Sequence, residues 1–386
     1  MEGEGVHNMV GRPLCRLAAA LALVLAGSAH AEPGITPNTI VIGQAAGFTG
    51  SVAGTVKELT AGAKVYFDQV NANGGIHGRK IVLESMDDGF DPKKSPDVFK
   101  KLIEEKNVFA MFLARGTPTT EAAYAVLEKA QVPLIGPSTG AMSMYDPPRK
   151  YIFPVRASYH SETFKIVPQL VNMGINRIAI LYVDDSFGKD GLAGVQQALK
   201  NSNLTPVAVV SHVRGATKLD ESVAAIGKTD PQAIIMITVL DAGVAFVKQM
   251  KKTGRGPVFI TLSNNSSNAF IKNLGEDGWG VAVSQVSPFP FSRTMPITKE
   301  FHEVIKGRQD VAASYSSMEG FISAKVLVEG LKRAGPKPTR EKLIAGLESM
   351  NKYDLGGVDV SYGPQLRAGT SFIDITIISK TGKFVR

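Results

Sequence analysis

Two periodicities alternate along this chain. Short apolar runs that read as buried strands give way to polar loops, and then to stretches whose apolar residues recur every three or four positions. Thr39-Ile-Val-Ile-Gly43 is the first run, followed by a glycine-rich loop over 44–51. Val56, Leu59, Ala63, Tyr66 and Val70 mark an amphipathic helix, closed by Asn71-Ala-Asn-Gly-Gly-Ile-His-Gly78 with its glycine cap and tight turn. A strand over 80–84, a helix over 93–105 and a strand over 108–113 follow. Thr117 then reads as the N-cap of a helix with Pro118 in its first position, and Ala122, Ala123, Val126, Leu127 and Ala130 form its buried stripe. The run 132–135 delivers a second turn, Gly136-Pro-Ser-Thr-Gly140. This alternation predicts a parallel sheet covered on both faces.

Tyr151-Ile-Phe-Pro-Val155 interrupts the rhythm, which then restarts. Strands are predicted over 177–183, 207–210, 233–238, 258–260 and 281–283, with helices over 188–201, 219–227, 243–253 and 269–273 between them. Two series of similar size predict two similarly built α/β lobes, although no fixed-period repeat is visible. The end is mostly helical, over 298–306, 315–334 and 339–350, before two last strands at 358–362 and 372–378.

Composition narrows the class. The chain has 386 residues, 44% hydrophobic and 20% charged, enough for two cored domains. The net charge of +8 is spread in short pairs such as Lys93-Lys94 and Lys251-Lys252, without a basic stripe, which argues against nucleic acid. Arg12 and Arg16 precede an apolar run over 17–26, and Ala29-His-Ala31 follows. This predicts a secretory signal over 1–31, cleaved after Ala31 and too short to span a membrane. Met9 competes with Met1 as the true start. Cys15 is the only cysteine and precedes the apolar run, so the mature chain is expected to hold no disulfide and no thiolate site. A bacterial periplasm fits these features.

The chemistry on offer is that of binding. The turns at Thr117 and at 136–140 would place N–H groups and hydroxyls at the carboxyl edge of a sheet, which suits an anion; alternatively they are ordinary helix caps. Arg115 either pairs a carboxylate in this loop, lies on the surface, or forms a pair between the lobes. Asp184, Asp185, Asp241 and Glu319 are candidates to meet an ammonium, with Asp241 equally readable as a helix cap. Phe48, Phe187 and Tyr315 could wall an apolar ligand or belong to the core. Asp87, Asp88 and Asp91 lack calcium-loop spacing, and the histidines at 77, 160, 212 and 302 lack paired ligand spacing, so no metal site is expected. Gly227-Lys-Thr229 has Ser222 where a phosphate loop needs its first glycine, Gly278-Trp-Gly280 precedes a strand rather than following one, and no nucleophile elbow occurs. Neither an enzyme nor a cofactor is expected.

Ile40-Val-Ile-Gly43, Phe48-Thr-Gly50, the segment 71–79, Asp87-Asp-Gly-Phe-Asp-Pro92 and Gly136-Pro-Ser-Thr139, in this order, resemble type I periplasmic solute-binding proteins, nearest the leucine/isoleucine/valine-binding branch that serves ATP-driven importers. The resemblance covers 36–386. It implies two Rossmann-like lobes with parallel sheets, 36–157 with 288–368 and 158–287 with 369–386, joined by three crossover strands near Ala157, Ser287 and Gly369, with the late helices on the first lobe. It also implies a carboxylate held by Thr117 and by Ser138, Thr139 and Gly140, with further cleft places at Thr55, Phe187, Asp241, Asn264 and Tyr315. The implied partners are a small carboxylate solute, taken by a monomer, and the transmembrane subunits of an ABC permease. Two departures stand out: Thr55 replaces the tyrosine frequent in amino-acid binders, and Asn264 replaces the acid that meets the ammonium. With Arg115 they open an alternative ligand, an aromatic or dicarboxylic acid without an amino group. A sensing module for a signalling partner is a further alternative.

Overall fold

In the computed structural model, which describes residues 1–4 and 32–386, the two series form two sheets. The apolar leader, Cys15 and Ala31 lie outside the described residues. The first sheet holds β1 (Thr39–Ala46), β2 (Lys80–Asp87), β3 (Ala110–Phe112), β4 (Leu134–Ile135) and β5 (Ile152–Phe153), in the order β2-β1-β3-β4-β5. Every pairing in it is parallel. Its crossovers are α1 (Ala53–Ala72), α2 (Ser95–Glu104) and the pair α3 (Thr117–Ala122) and α4 (Tyr124–Ala130).

That pair departs from the single helix expected here. Thr119 and Thr120 turn their hydroxyls back onto the carbonyls of Arg115 and Gly116, competing with the helical ladder, and the helix ends at Ala123. The cap also shifts by one residue, from Thr117 to Gly116. Gly116 has φ +97°, a conformation that glycine alone adopts readily, and a Cβ there would come within 2.4 Å of the Phe90 ring.

The second sheet belongs to α5 (Tyr159–Asn172), β6 (Ile178–Val183), α6 (Ser186–Asn201), β7 (Ala208–His212), α7 (Asp220–Gly227), β8 (Ala233–Ile237), α8 (Leu240–Lys251), β9 (Val258–Thr261), α9 (Asn268–Leu274) and β10 (Ala282–Gln285). β8, Ala-Ile-Ile-Met-Ile, is buried along its whole length, as a central parallel strand covered on both faces must be. The chain then returns to the first half through α10 (Pro296–Ile305), α11 (Tyr315–Ala334) and α12 (Arg340–Glu348). α11 lies against α1 at two glycines: a Cβ on Gly62 would strike the Ser317 carbonyl, and one on Gly320 the Leu59 carbonyl. Backbones this close need residues without side chains on both helices.

The two last strands expected in the tail are present, but they pair antiparallel and three further short strands join them, which pattern reading did not foresee. β11 (Tyr353–Asp354), β12 (Asp359–Gly363) and β13 (Leu366–Thr370) make a small antiparallel sheet on the first half. β14 (Asp374–Ile378) joins the second sheet antiparallel to β10, and β15 (Phe384–Val385) pairs antiparallel to β14, giving the order β15-β14-β10-β9-β8-β6-β7. The chain therefore passes between the sheets three times: after β5, after β10 and between β13 and β14. Two of these passages run side by side, with Thr370 N–H donating to the Val155 carbonyl at 2.7 Å.

Candidate functional site

A cleft lies where strand ends of the two sheets meet. From the first half it is lined by Val52 and Thr55 around the start of α1, Phe90 after β2, Arg115, Gly116 and Thr117 after β3, and Ser138 after β4. The second half contributes Tyr159 and Phe187 from the starts of α5 and α6, Arg214 after β7, Val239 and Leu240 at α8, and Asn264 after β9. The strands of both sheets that lead here point their carboxyl ends at the gap, the usual ligand position in open α/β sheets. The cavity volume is about 370 Å³.

The halves are shut on one another. Arg115 Nη2 donates to the Asn264 carbonyl at 2.9 Å, and Thr55 donates its hydroxyl to Ser267 Oγ at 3.0 Å. Glu58, on α1, accepts the N–H groups of Asn268 and Ala269 at 3.2 Å each. The Arg214 guanidinium lies 4.6 Å from the centre of the Phe90 ring, a cation–π contact across the gap.

Of the residues singled out in the sequence, Thr55, Arg115, Thr117, Ser138, Phe187 and Asn264 line this one cleft. Thr139, Gly140, Asp241 and Tyr315 do not. Thr139 stands behind Thr117, hydroxyl to hydroxyl at 2.6 Å, and Gly140 gives its carbonyl to Tyr159 N–H at 2.7 Å. Asp241 sits in the first turn of α8, where Val239 rather than Asp241 is the cap, and burial raises its pKa. Tyr315 packs its ring on Phe289 and Phe384, away from the gap. Phe48, the other aromatic considered, packs beside Val52 and Val56 rather than lining the cleft.

The expected anion donors also change. The two turns were expected to present free amide N–H groups. Instead Gly116 N–H donates to the Ser138 carbonyl at 3.4 Å, Ser138 N–H to Ala114 at 2.7 Å and Thr139 N–H to Pro137 at 2.9 Å. These bonds arise because Arg115 and Ser138 meet in a parallel bridge that prolongs the β3–β4 pairing beyond the strands themselves. The N–H groups of Thr117 and Gly140 make no such bond, so the turns offer these two amides together with side chains, chiefly a guanidinium.

Arg115 is 5% exposed. Its Nη1 donates to Ser138 Oγ at 2.8 Å, and its Nε is buried without an acceptor. Burial pulls its pKa below the usual guanidinium range, partly opposed by Tyr159 and Glu319 and reinforced by Arg156. Glu319 is held at one remove, accepting the Ser138 hydroxyl at 2.8 Å. No Asp or Glu is among the lining residues. Asn264 is tied through Nδ2 to the Thr238 carbonyl at 2.9 Å, which leaves its Oδ1 buried and without a donor.

Sequence reasoning missed Phe90, Tyr159, Val239, Leu240 and above all Arg214. The signal for Arg214 was strand length. β7 runs to His212, two residues beyond the predicted end, which places Arg214 in the strand-end loop.

Two α/β halves closed over a small, cation-bearing, partly apolar cleft are the build of a binding protein. The chain belongs to the periplasmic binding protein family, whose sequence model matches residues 39–374. It is 24% identical over 336 residues to the Leu/Ile/Val-binding protein homolog 7 of Brucella suis biovar 1 (strain 1330), covering 82% of each chain. A substrate-binding periplasmic protein from Ralstonia solanacearum superimposes with a TM-score of 0.84 at 33% identity, over 90% of this chain and 99% of that one. A fatty acid ABC transporter substrate-binding protein from Thermomonospora curvata shares the fold, with a TM-score of 0.82 at 22% identity over 92% of each chain. These relatives are named as binding proteins, not enzymes.

Proposed function

We propose that this protein is the solute-capturing component of an ABC importer and that it closes on a small organic acid lacking an ammonium group. The observation that carries this reading is Arg115, a buried guanidinium in the cleft with no carboxylate of the protein in direct contact. A buried cation of this kind stays costly until an anion meets it. A ligand carboxylate beside Arg115 and Ser138 supplies that anion, while Phe90, Phe187, Tyr159, Val239 and Leu240 enclose an apolar body. A buried ammonium would need an acid among the lining residues, and there is none.

The mechanism is closure. Contacts from Arg115, Thr55 and Glu58 bridge the gap, so a solute enters while the halves stand apart. Contacts to both halves then shift the population towards the shut form. The three passages between the sheets serve as the hinge. The protein works as a monomer in the periplasm, without turnover of its ligand, and hands the solute to the membrane permease, which reads the shut surface.

The neutral acceptor Asn264 Oδ1 favours a second reading, a branched-chain or related amino acid whose amino group donates to it, in keeping with the relatives named for leucine, isoleucine and valine. Melting the purified protein against a panel of amino acids and organic acids tests capture itself. A ligand at about a thousand times its Kd adds roughly 4 kcal/mol of stability. A panel without any upward shift contradicts the proposal.

A further inference from the structure

Arg214 is the second guanidinium in the cleft, and it stands on the half opposite Arg115. Asp185 occupies only one edge of it. Nε donates to Asp185 Oδ2 at 2.9 Å, and Nη2 lies 2.6 Å from the same oxygen. The other oxygen of Asp185 accepts the Gly188 N–H at 3.1 Å as the cap of α6, so the carboxylate is fixed in place and has no second oxygen to give. Nη1 of Arg214 is buried without any acceptor. The Phe90 ring covers one face of the guanidinium, and a ring face accepts no conventional hydrogen bond from the in-plane N–H groups.

A guanidinium carries five donors in a planar fork, and donors left unmet in a buried place are costly. Asp185 already balances the charge of Arg214, so what this end of the cleft lacks is acceptor oxygens. Besides the two arginines the cleft has an apolar or aromatic part, Val52, Phe90, Tyr159, Phe187, Val239 and Leu240, and a polar part, Thr55, Thr117, Ser138 and Asn264. Building on the carboxylate reading of Arg115, we propose that Arg214 receives a second planar two-oxygen group at the far end of the ligand. The solute is then a diacid with a short apolar or aromatic body, its two ends clamped by arginines from opposite halves. This arrangement also explains why closure would select such a solute. A monoacid meets Arg115 but leaves Nη1 of Arg214 unmet, whereas a diacid satisfies both ends only when the halves shut.

Calorimetric titration with two matched pairs tests this: terephthalate against 4-methylbenzoate, and adipate against hexanoate. In at least one pair the diacid binds at least tenfold more tightly. Arg214→Gln lowers the diacid to the affinity of its monoacid, both measured on the variant so that the lost contact with Phe90 weighs on the two acids alike. If that single variant does not fold, Asp185→Asn with Arg214→Gln removes both members of the ion pair and shows the same loss of preference. Arg214→Lys, which keeps the charge without the fork, retains part of the preference. Equal or better binding of the monoacid in both pairs overturns the assignment and leaves the Arg115 reading standing. A diacid preference that survives Arg214→Gln also overturns it, because the second acid group is then held elsewhere. Failure of all four acids to bind overturns both readings.

Discussion

Arg115 and Arg156 are both buried, at 5% and 2% exposure, the first in the cleft and the second on a passage between the sheets, and they live in opposite electrostatic surroundings. Arg156 lies on the first passage between the sheets and is paired with Glu162 of α5. Burial alone would pull its pKa down, but Glu162 and Glu319 outweigh burial, and the net shift is upward. Glu162 is satisfied in turn by Ser263 N–H and Ser263 Oγ, both at 2.8 Å, and by Ser284 Oγ. Arg115 has hydroxyl and carbonyl partners but no carboxylate in contact, and its pKa moves down. Arg156 has its counter-charge built in, although its Nη1 is buried without an acceptor. Arg115 has no carboxylate in contact, and under the proposed function a guest supplies one. What separates these two arginines is whether the counter-charge is already built in, a test that does not bear on Arg214, whose charge Asp185 balances.

The largest effect should come from breaking the finished pair. Glu162→Gln strips Arg156 of its counter-charge and should destabilise the ligand-free protein by about 3 kcal/mol, read by denaturant unfolding. A loss within about 0.5 kcal/mol would put the two arginines in the same class. Arg115→Met should do the converse. Ligand-free stability should hold or rise, because a costly buried cation is gone, while acid affinity falls roughly 100-fold, equivalent to about 2.7 kcal/mol. Loss of fold in that variant would show that Arg115 is structural after all.

A third buried charge sharpens the contrast. Asp88, in the loop that carries Phe90, is 1% exposed and has no cation beside it; burial pushes its pKa up to about 6, although Phe90 N–H donates to it. Its folded pKa is above its unfolded value, so the folded protein binds the proton more tightly. The associated stability is full below about pH 3.8 and is lost as pH rises through about 6. Asp88→Asn should flatten that part of the pH–stability curve and raise stability at pH 8 by about 2 kcal/mol. An unchanged curve would contradict it. The smallest effect belongs to Asp241→Asn. Since Asp241 is not a lining residue, affinity should stay within twofold for any acid that binds; a larger change would bring Asp241 back as a ligand contact.

Local signals carried the elements, and long-range ones carried the site. The span of α11 was legible because Ser314 and Ser317 form its capping box and Gly335 follows its end. The alternation of runs predicted the two parallel sheets for the same local reason. The break at Ala123 was hidden in hydroxyls that turn back on the chain, and the antiparallel tail in strands too short to show a period. That Arg115 faces the cleft was one of three open readings, beside a surface arginine and a pair between the lobes. Its state depends on where Glu319 and Glu162 come to rest, far along the chain, and no spacing rule encodes that. Arg214 needed only the correct end of β7, whereas its unmet Nη1 needed the fold.

One pair of ligands isolates the central claim, that the cleft completes a cation and offers nothing charged to an ammonium. Leucine and 4-methylpentanoate share a carbon skeleton and a carboxylate and differ in the amino group. Titrated calorimetrically into the same protein, 4-methylpentanoate should bind at least tenfold more tightly than leucine. Tighter binding of leucine would contradict the account.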